Sequence, residues 1–140
     1  MTLTPALREP LERLYREFDY AARIGRDAIQ FPLRYPDPRD RELVALLTAC
    51  LAYGRVDLFG RELEGALAAM GPSPFRFVTE FDPKRDAAAF AKFRYRFNRP
   101  HDLVAFCVAA REAFARHGTL EKCFLAGDPD PAGPIGPALE

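Results

Sequence analysis

The chain has 140 residues, of which 49% are hydrophobic and 29% charged, the balance of a folded globular domain and not of a disordered segment. Its 20 basic and 20 acidic residues cancel, so no overall field attracts nucleic acid or a membrane, and any such partner must be met by a local patch. No secretion signal is visible around Met1-Thr2-Leu3-Thr4-Pro5, and no apolar run approaches the roughly 20 residues of a membrane-spanning helix, so the expectation is a cytoplasmic protein with no membrane partner.

The pattern is helical throughout. Leu7, Leu11, Leu14, Tyr15 and Phe18 recur at steps of three and four, which predicts an amphipathic first helix laced by Glu9–Arg13 and Glu12–Arg16 pairs. Pro10 either opens that helix or kinks one begun at Pro5. A loop follows from Asp27 to Pro36, in which Ile29, Phe31, Leu33 and Tyr35 are expected to pack inward. Asp37-Pro38 caps and starts the next helix, and its stretch from Leu43 to Tyr53 is apolar nearly all round, which predicts a central position, with Gly54 as its stop.

Val56, Phe59, Leu63, Ala66, Leu67 and Met70 define a one-sided helix closed by Gly71 and Pro72. Ser73-Pro74 and Asp82-Pro83 open two shorter pieces. Pro100 opens the last long helix, with Leu103, Phe106, Cys107, Ala110 and Phe114 inward and Gly118 as its stop, and Thr119 caps a final short helix. Residues 127–140 read as a Pro/Gly-rich connector that ends in the first turn of a further helix at Pro137-Ala138-Leu139-Glu140. The fold class expected is all-α, a bundle of about six to seven helices over residues 1–126, forming the front part of a longer fold.

The segment Lys92-Phe93-Arg94-Tyr95-Arg96-Phe97-Asn98-Arg99 alternates basic and aromatic residues, with no acid before Asp102. Cations neutralise phosphates and aromatic faces stack on bases, so this pattern suits a nucleic-acid surface. It equally suits a link between helices whose aromatics pack inward and whose arginines are solvated or tied to carbonyls. Tyr53-Gly54-Arg55 lies in the turn between two helices, where free N–H groups and Arg55 could meet an anion, or where Gly54 simply caps a helix. Asp37, Asp40, Asp82 and Asp86 read as helix-start carboxylates. His101 and His117 sit at opposite ends of one helix and cannot share a metal within it. Cys50, Cys107 and Cys123 are odd in number and widely spaced, which argues against a disulfide framework and for small buried hydrophobes in a reducing compartment. No self-sufficient active site and no cofactor motif is visible.

Three blocks, from Asp27 to Tyr35, Leu51 to Val56 and Phe93 to Leu103, together resemble the N-terminal half of an uncharacterised bacterial family, domain of unknown function twenty-four hundred. In that family the second half carries a Cys-Lys-Arg and a Leu-Asp-Thr-His segment, which this chain lacks. The latter segment is similar to the catalytic-aspartate region of helix-hairpin-helix DNA glycosylases. The stretch from Leu46 to Val56 is likewise similar in layout to the central helix and DNA-facing turn of endonuclease-III-like glycosylases, with Cys50 where those enzymes have a glutamine. The resemblance implies an all-helical fold and a nucleic-acid surface near Tyr53-Gly54-Arg55, but no activity.

Two functional expectations follow. In the first the chain is the N-terminal portion of a glycosylase-like, DNA-associated protein, not catalytic alone, with Arg55, Arg94, Arg96 and Arg99 on phosphates and Tyr53 or Tyr95 stacking on bases. In the second it is a helical interaction or scaffold module that self-associates or binds a protein through an exposed apolar face.

Overall fold

The computed structural model describes residues 4–128, which form eight α-helices and three 3₁₀ turns. The helices are α1 (Pro5–Glu17), α2 (Tyr20–Ile24), α3 (Pro38–Leu51), α4 (Val56–Met70), α5 (Pro74–Thr79), α6 (Pro83–Asp86), α7 (Pro100–His117) and α8 (Leu120–Ala126). Turns at Ala28–Gln30 and Pro32–Arg34 lead into α3, and Ala87–Phe90 continues from α6. The protein is all-α, as its period predicts. The helix beyond the expected six or seven is α2, whose 5 residues are too few to display a repeat. The connector and further helix expected over 127–140 lie, from residue 129 onward, outside the described residues.

Helix starts are written in the sequence as an oxygen-bearing residue followed by proline. The carboxylate of Asp37 accepts from Arg39 N–H, Ser73 Oγ from Arg76 N–H, and Asp82 from Lys84 and Arg85 N–H. Each such cap is worth about 1 kcal/mol. Helices α3, α4 and α7 then bury one stripe each: Leu43, Val44, Leu47 and Leu51, then Phe59, Leu63, Leu67 and Met70, then Leu103, Cys107, Ala110 and Phe114. Phe81 and Phe90, from the connecting segments, complete this core.

Two carboxylates of α3 start other helices. Asp40 is buried and accepts from Ser73 Oγ at 3.0 Å and Phe75 N–H at 2.7 Å, which ties α3 to the first turn of α5. Glu42 accepts from the N–H groups of Leu120 and Glu121, both at 3.1 Å, and so opens α8. Asp40 stands in the first turn of its own helix, as expected, and its register on the same face as Val44, Leu47 and Leu51 also points it inward to α5.

Several packing expectations change. Helix α3 is not enclosed: Ala45, Leu46, Ala49 and Cys50 form an exposed face opposite the buried stripe. The apolar stripe of α1 stays in water, with Leu14 60% and Tyr15 69% exposed, and Pro10 lies inside the helix. Its ion pair is Arg8–Glu12, while Arg16 donates to the Glu12 carbonyl. Of the four apolar side chains expected to pack inward from the loop before α3, only Phe31 is fully buried, beside Pro32; Tyr35 is half-buried, and Ile29 and Leu33 are exposed. Phe31 lies against α4 where Gly60 leaves room, since a Cβ at residue 60 would come within 3.1 Å of its ring. Phe106 is half-buried. Among the described residues no helix is long and apolar enough to cross a membrane.

Candidate functional site

The backbone leaves α3 through a sharp turn. Ala52 N–H still reaches the Ala49 carbonyl and Tyr53 N–H the Leu51 carbonyl, after which Gly54 adopts φ +104° and Arg55 leads into α4. The helix therefore ends before Gly54, and the glycine is required by the turn and not as the helix cap. Arg55 brings no side-chain cap to α4; its guanidinium pairs with Asp57 at 2.7 Å. That hydrogen bond raises the Arg55 pKa and holds the Asp57 carboxyl below the usual range.

The second candidate segment builds a turn of its own. Phe93 and Tyr95 are buried while Lys92, Arg94 and Arg96 alternate with them on the outside. Tyr95 N–H donates to the Asn98 carbonyl at 3.2 Å and Asn98 N–H to the Tyr95 carbonyl at 2.8 Å, leaving Arg96 and Phe97 at the tip. Arg96 has φ +50°, and it is the one non-glycine among the described residues with positive φ. For an arginine that conformation costs about 1–2 kcal/mol, and surrounding contacts must hold it.

Those contacts come from the first turn. The Tyr53 and Tyr95 ring centroids are 5.1 Å apart. The Tyr53 hydroxyl donates to Asn98 Oδ1, and the Tyr95 hydroxyl donates to the Tyr53 carbonyl. The Arg96 guanidinium lies over both rings, 5.8 Å from the Tyr53 centroid and 6.0 Å from that of Tyr95. Gly54 allows this approach: a Cβ there would sit 2.8 Å from Arg96 Nη2 and 3.2 Å from Tyr95 Oη. Arg99 closes the second turn by donating to the Arg96 carbonyl at 2.6 Å and the Asn98 carbonyl at 3.0 Å. Two segments some forty residues apart in sequence are thus locked into one unit.

All seven expected site residues meet at this unit, in different roles. Gly54, Arg55, Arg94, Arg96 and Arg99 are exposed, and Tyr53 is half-buried. The Arg94 guanidinium has no hydrogen bond or ion pair among the described residues; its backbone N–H donates to Glu62 at 3.4 Å. Tyr95 is only 5% exposed, so its ring anchors the unit and offers no open face for stacking. Phe97, which alternation alone would have turned inward with its neighbours, is instead 87% exposed, because the tight turn breaks the alternation at Arg96. Beside Arg55 an open cleft of about 490 Å³ is lined by Arg26, Arg61, Asp57 and Glu64 around Phe31 and Gly60.

The other candidates do not converge. His101 lies 3.4 Å from its neighbour Asp102, and among the described residues no cluster of three His, Cys, Asp or Glu side chains could hold a metal. Cys107 is buried and its thiol is pushed up to about 12 by desolvation, with the Asp86 charge adding, so it is not a ready nucleophile. Cys50, expected on a buried face, is exposed, and Cys123 is half-buried.

Fold and site define an all-helical domain in which two interlocked turns carry four exposed arginines. The chain belongs to the family described as Protein of unknown function (DUF2400), whose model matches residues 27–135 and so takes in both turns but not α1 or α2. No curated protein and no solved structure matches it.

Proposed function

We propose that the paired turns bind DNA through its phosphates, and that the chain belongs to a cytoplasmic, DNA-associated protein of the helix-hairpin-helix glycosylase kind without being catalytic by itself. The observation that carries this reading is the union of Tyr53-Gly54-Arg55 with the Arg94–Arg99 turn, which sets Arg55, Arg94, Arg96 and Arg99 on one structural unit in a protein of zero net charge. Guanidinium groups suit phosphate oxygens, and a neutral background leaves this patch as the local attractor. Among the described residues the guanidinium groups of Arg94 and Arg96 have no carboxylate partner, and they are the strongest phosphate ligands of the set. Tyr53, half-buried under Arg96, contributes its ring edge, and Tyr95 acts by holding the turn.

The test is fluorescence anisotropy with a labelled duplex at low salt, comparing the natural chain with Arg94→Ala combined with Arg96→Asn. Asparagine tolerates the left-handed backbone of position 96, so the turn survives. Affinity falls about tenfold or more if these cations meet phosphates; an unchanged affinity refutes the reading.

A second reading, a protein-interaction module, is favoured by the water-exposed stripe of α1 (Leu7, Leu11, Leu14, Tyr15) and the outer face of α3 around Leu46. Apolar faces of this kind mark association surfaces. Light scattering decides it: concentration-dependent mass that returns to monomer on Leu11→Glu with Leu14→Glu supports association through α1, and a monomer at every concentration removes it.

A further inference from the structure

We propose that Phe97 is an insertion residue, and that the DNA taken by the paired turns is DNA with an interrupted base stack, such as a gap, whose open step receives the Phe97 ring. The inference rests on the DNA-binding reading above and names its preferred substrate.

Among the described residues Phe97 is the most exposed of the large apolar side chains, at 87%. It is held there by design of the turn. The pair of backbone bonds between Tyr95 and Asn98 closes immediately behind it, Arg99 braces the carbonyls of Arg96 and Asn98, and Tyr95 and Asn98 are both bonded to Tyr53. The tip therefore cannot fold back to cover the ring. A free aromatic ring on a pinned turn is preorganised for a slot, and the strained Arg96 backbone is what aims it.

Charge selects the occupant. Phe97 is flanked by exposed Arg94, Arg96 and Arg99, with Lys92 further back and no carboxylate in residues 92–101. A polyanion carrying flat apolar slots complements that arrangement. The neighbours of Phe97 along the turn are Arg96 and Asn98, side chains that suit phosphate oxygens and do not continue an apolar patch. An intact duplex has no slot until a step is unstacked; a gap has already met that cost, so it is preferred.

The experiment titrates the full chain against a matched duplex and the same duplex with a one-nucleotide gap, with 2-aminopurine beside the gap as reporter. The natural chain favours the gapped duplex by about tenfold, the scale of one base–aromatic stack, and changes the 2-aminopurine emission. Phe97→Ala brings the gapped-to-matched ratio to about one and abolishes the emission change, Phe97→Trp restores both, and Leu125→Ala, an exposed apolar residue on α8, leaves both unaltered. A ratio that survives Phe97→Ala overturns the proposal, as does binding to anionic phosphatidylserine vesicles that depends on Phe97 while the gap preference does not. The salt dependence of the same titrations separates the two levels. A steep dependence with no gap preference refutes the insertion role alone, and no salt-dependent binding of either duplex removes the DNA reading and this proposal with it.

Discussion

Substituting Gly54 by alanine asks whether the two turns are packed as closely as described. Among the described residues three glycines share positive φ: Gly54 at +104°, Gly71 at +78° and Gly118 at +81°. At Gly118, alanine is forced into backbone that L-residues disfavour by about 1–2 kcal/mol, offset in part by a less flexible unfolded chain, for a net loss of about 1 kcal/mol, whereas Gly71, with ψ −160°, lies in a region essentially reserved for glycine and loses more. Around Gly71 and Gly118 an added Cβ meets nothing within 4 Å, so that is the whole effect. At Gly54 it meets Arg96 Nη2 at 2.8 Å and Tyr95 Oη at 3.2 Å. The guanidinium is the free end of a long side chain and swings away, giving up its place over the two rings at about 0.5–1 kcal/mol. The Tyr95 hydroxyl, bonded to the Tyr53 carbonyl, must yield by a few tenths of an ångström. Gly54→Ala therefore loses about 2 kcal/mol, against about 1 kcal/mol for Gly118→Ala. In urea, with a slope of about 2 kcal/mol per molar, the midpoint falls by about 1 M and about 0.5 M respectively. DNA affinity falls in Gly54→Ala alone, since only there is Arg96 displaced. Equal midpoints for Gly54→Ala and Gly118→Ala, with affinity unchanged in Gly54→Ala, would refute the close packing of the turns.

Asp40→Ala leaves Phe75 N–H and Ser73 Oγ without their buried acceptor and is expected to lose about 2–4 kcal/mol by urea unfolding; a loss under about 1 kcal/mol contradicts the cross-helix cap. Burial raises the Cys107 thiol from 9.0 to about 12, so the folded form keeps a proton that the unfolded chain releases. That contribution is fully present below pH 9 and is lost as pH rises from 9 toward about 12, so Cys107→Ala should show a shallower fall in stability over that window. The same burial predicts that at pH 8 a thiol reagent modifies Cys50 at once and Cys107 only as fast as the protein opens; immediate reaction of Cys107 in the folded chain, followed by mass spectrometry, would show the assignment wrong.

Much of this architecture was legible because helix punctuation is local chemistry. Asp37-Pro38, Ser73-Pro74, Asp82-Pro83 and Thr119 announce four helix starts with their own side chains, and Gly71 and Gly118 announce two stops. Burial was less legible where it depends on what covers a face. The α1 stripe and the outer face of α3 are as apolar as any core stripe, yet both stand in water here. At the site, composition singled out both turns without showing that they touch. The bonds from Tyr53 to Asn98 and from Tyr95 to Tyr53 join residues more than forty positions apart, and no local pattern encodes that pairing. Nor did alternation foretell Phe97: Phe93, Tyr95 and Phe97 share a period of two, and only the left-handed backbone at Arg96 sends the last one outward. The same turn both buries Tyr95, which looked free to stack, and frees Phe97, which looked destined for the core.

The slope of log affinity against log salt for a matched duplex tests the central claim most directly. Four arginines on phosphates predict a slope of about −3 to −4, an affinity loss of about a hundredfold between 50 and 200 mM salt, and a slope shallower by about 2 in the Arg94→Ala, Arg96→Asn variant. A slope near zero in the natural chain, or one that the double substitution leaves untouched, would contradict the assignment of this face to nucleic acid.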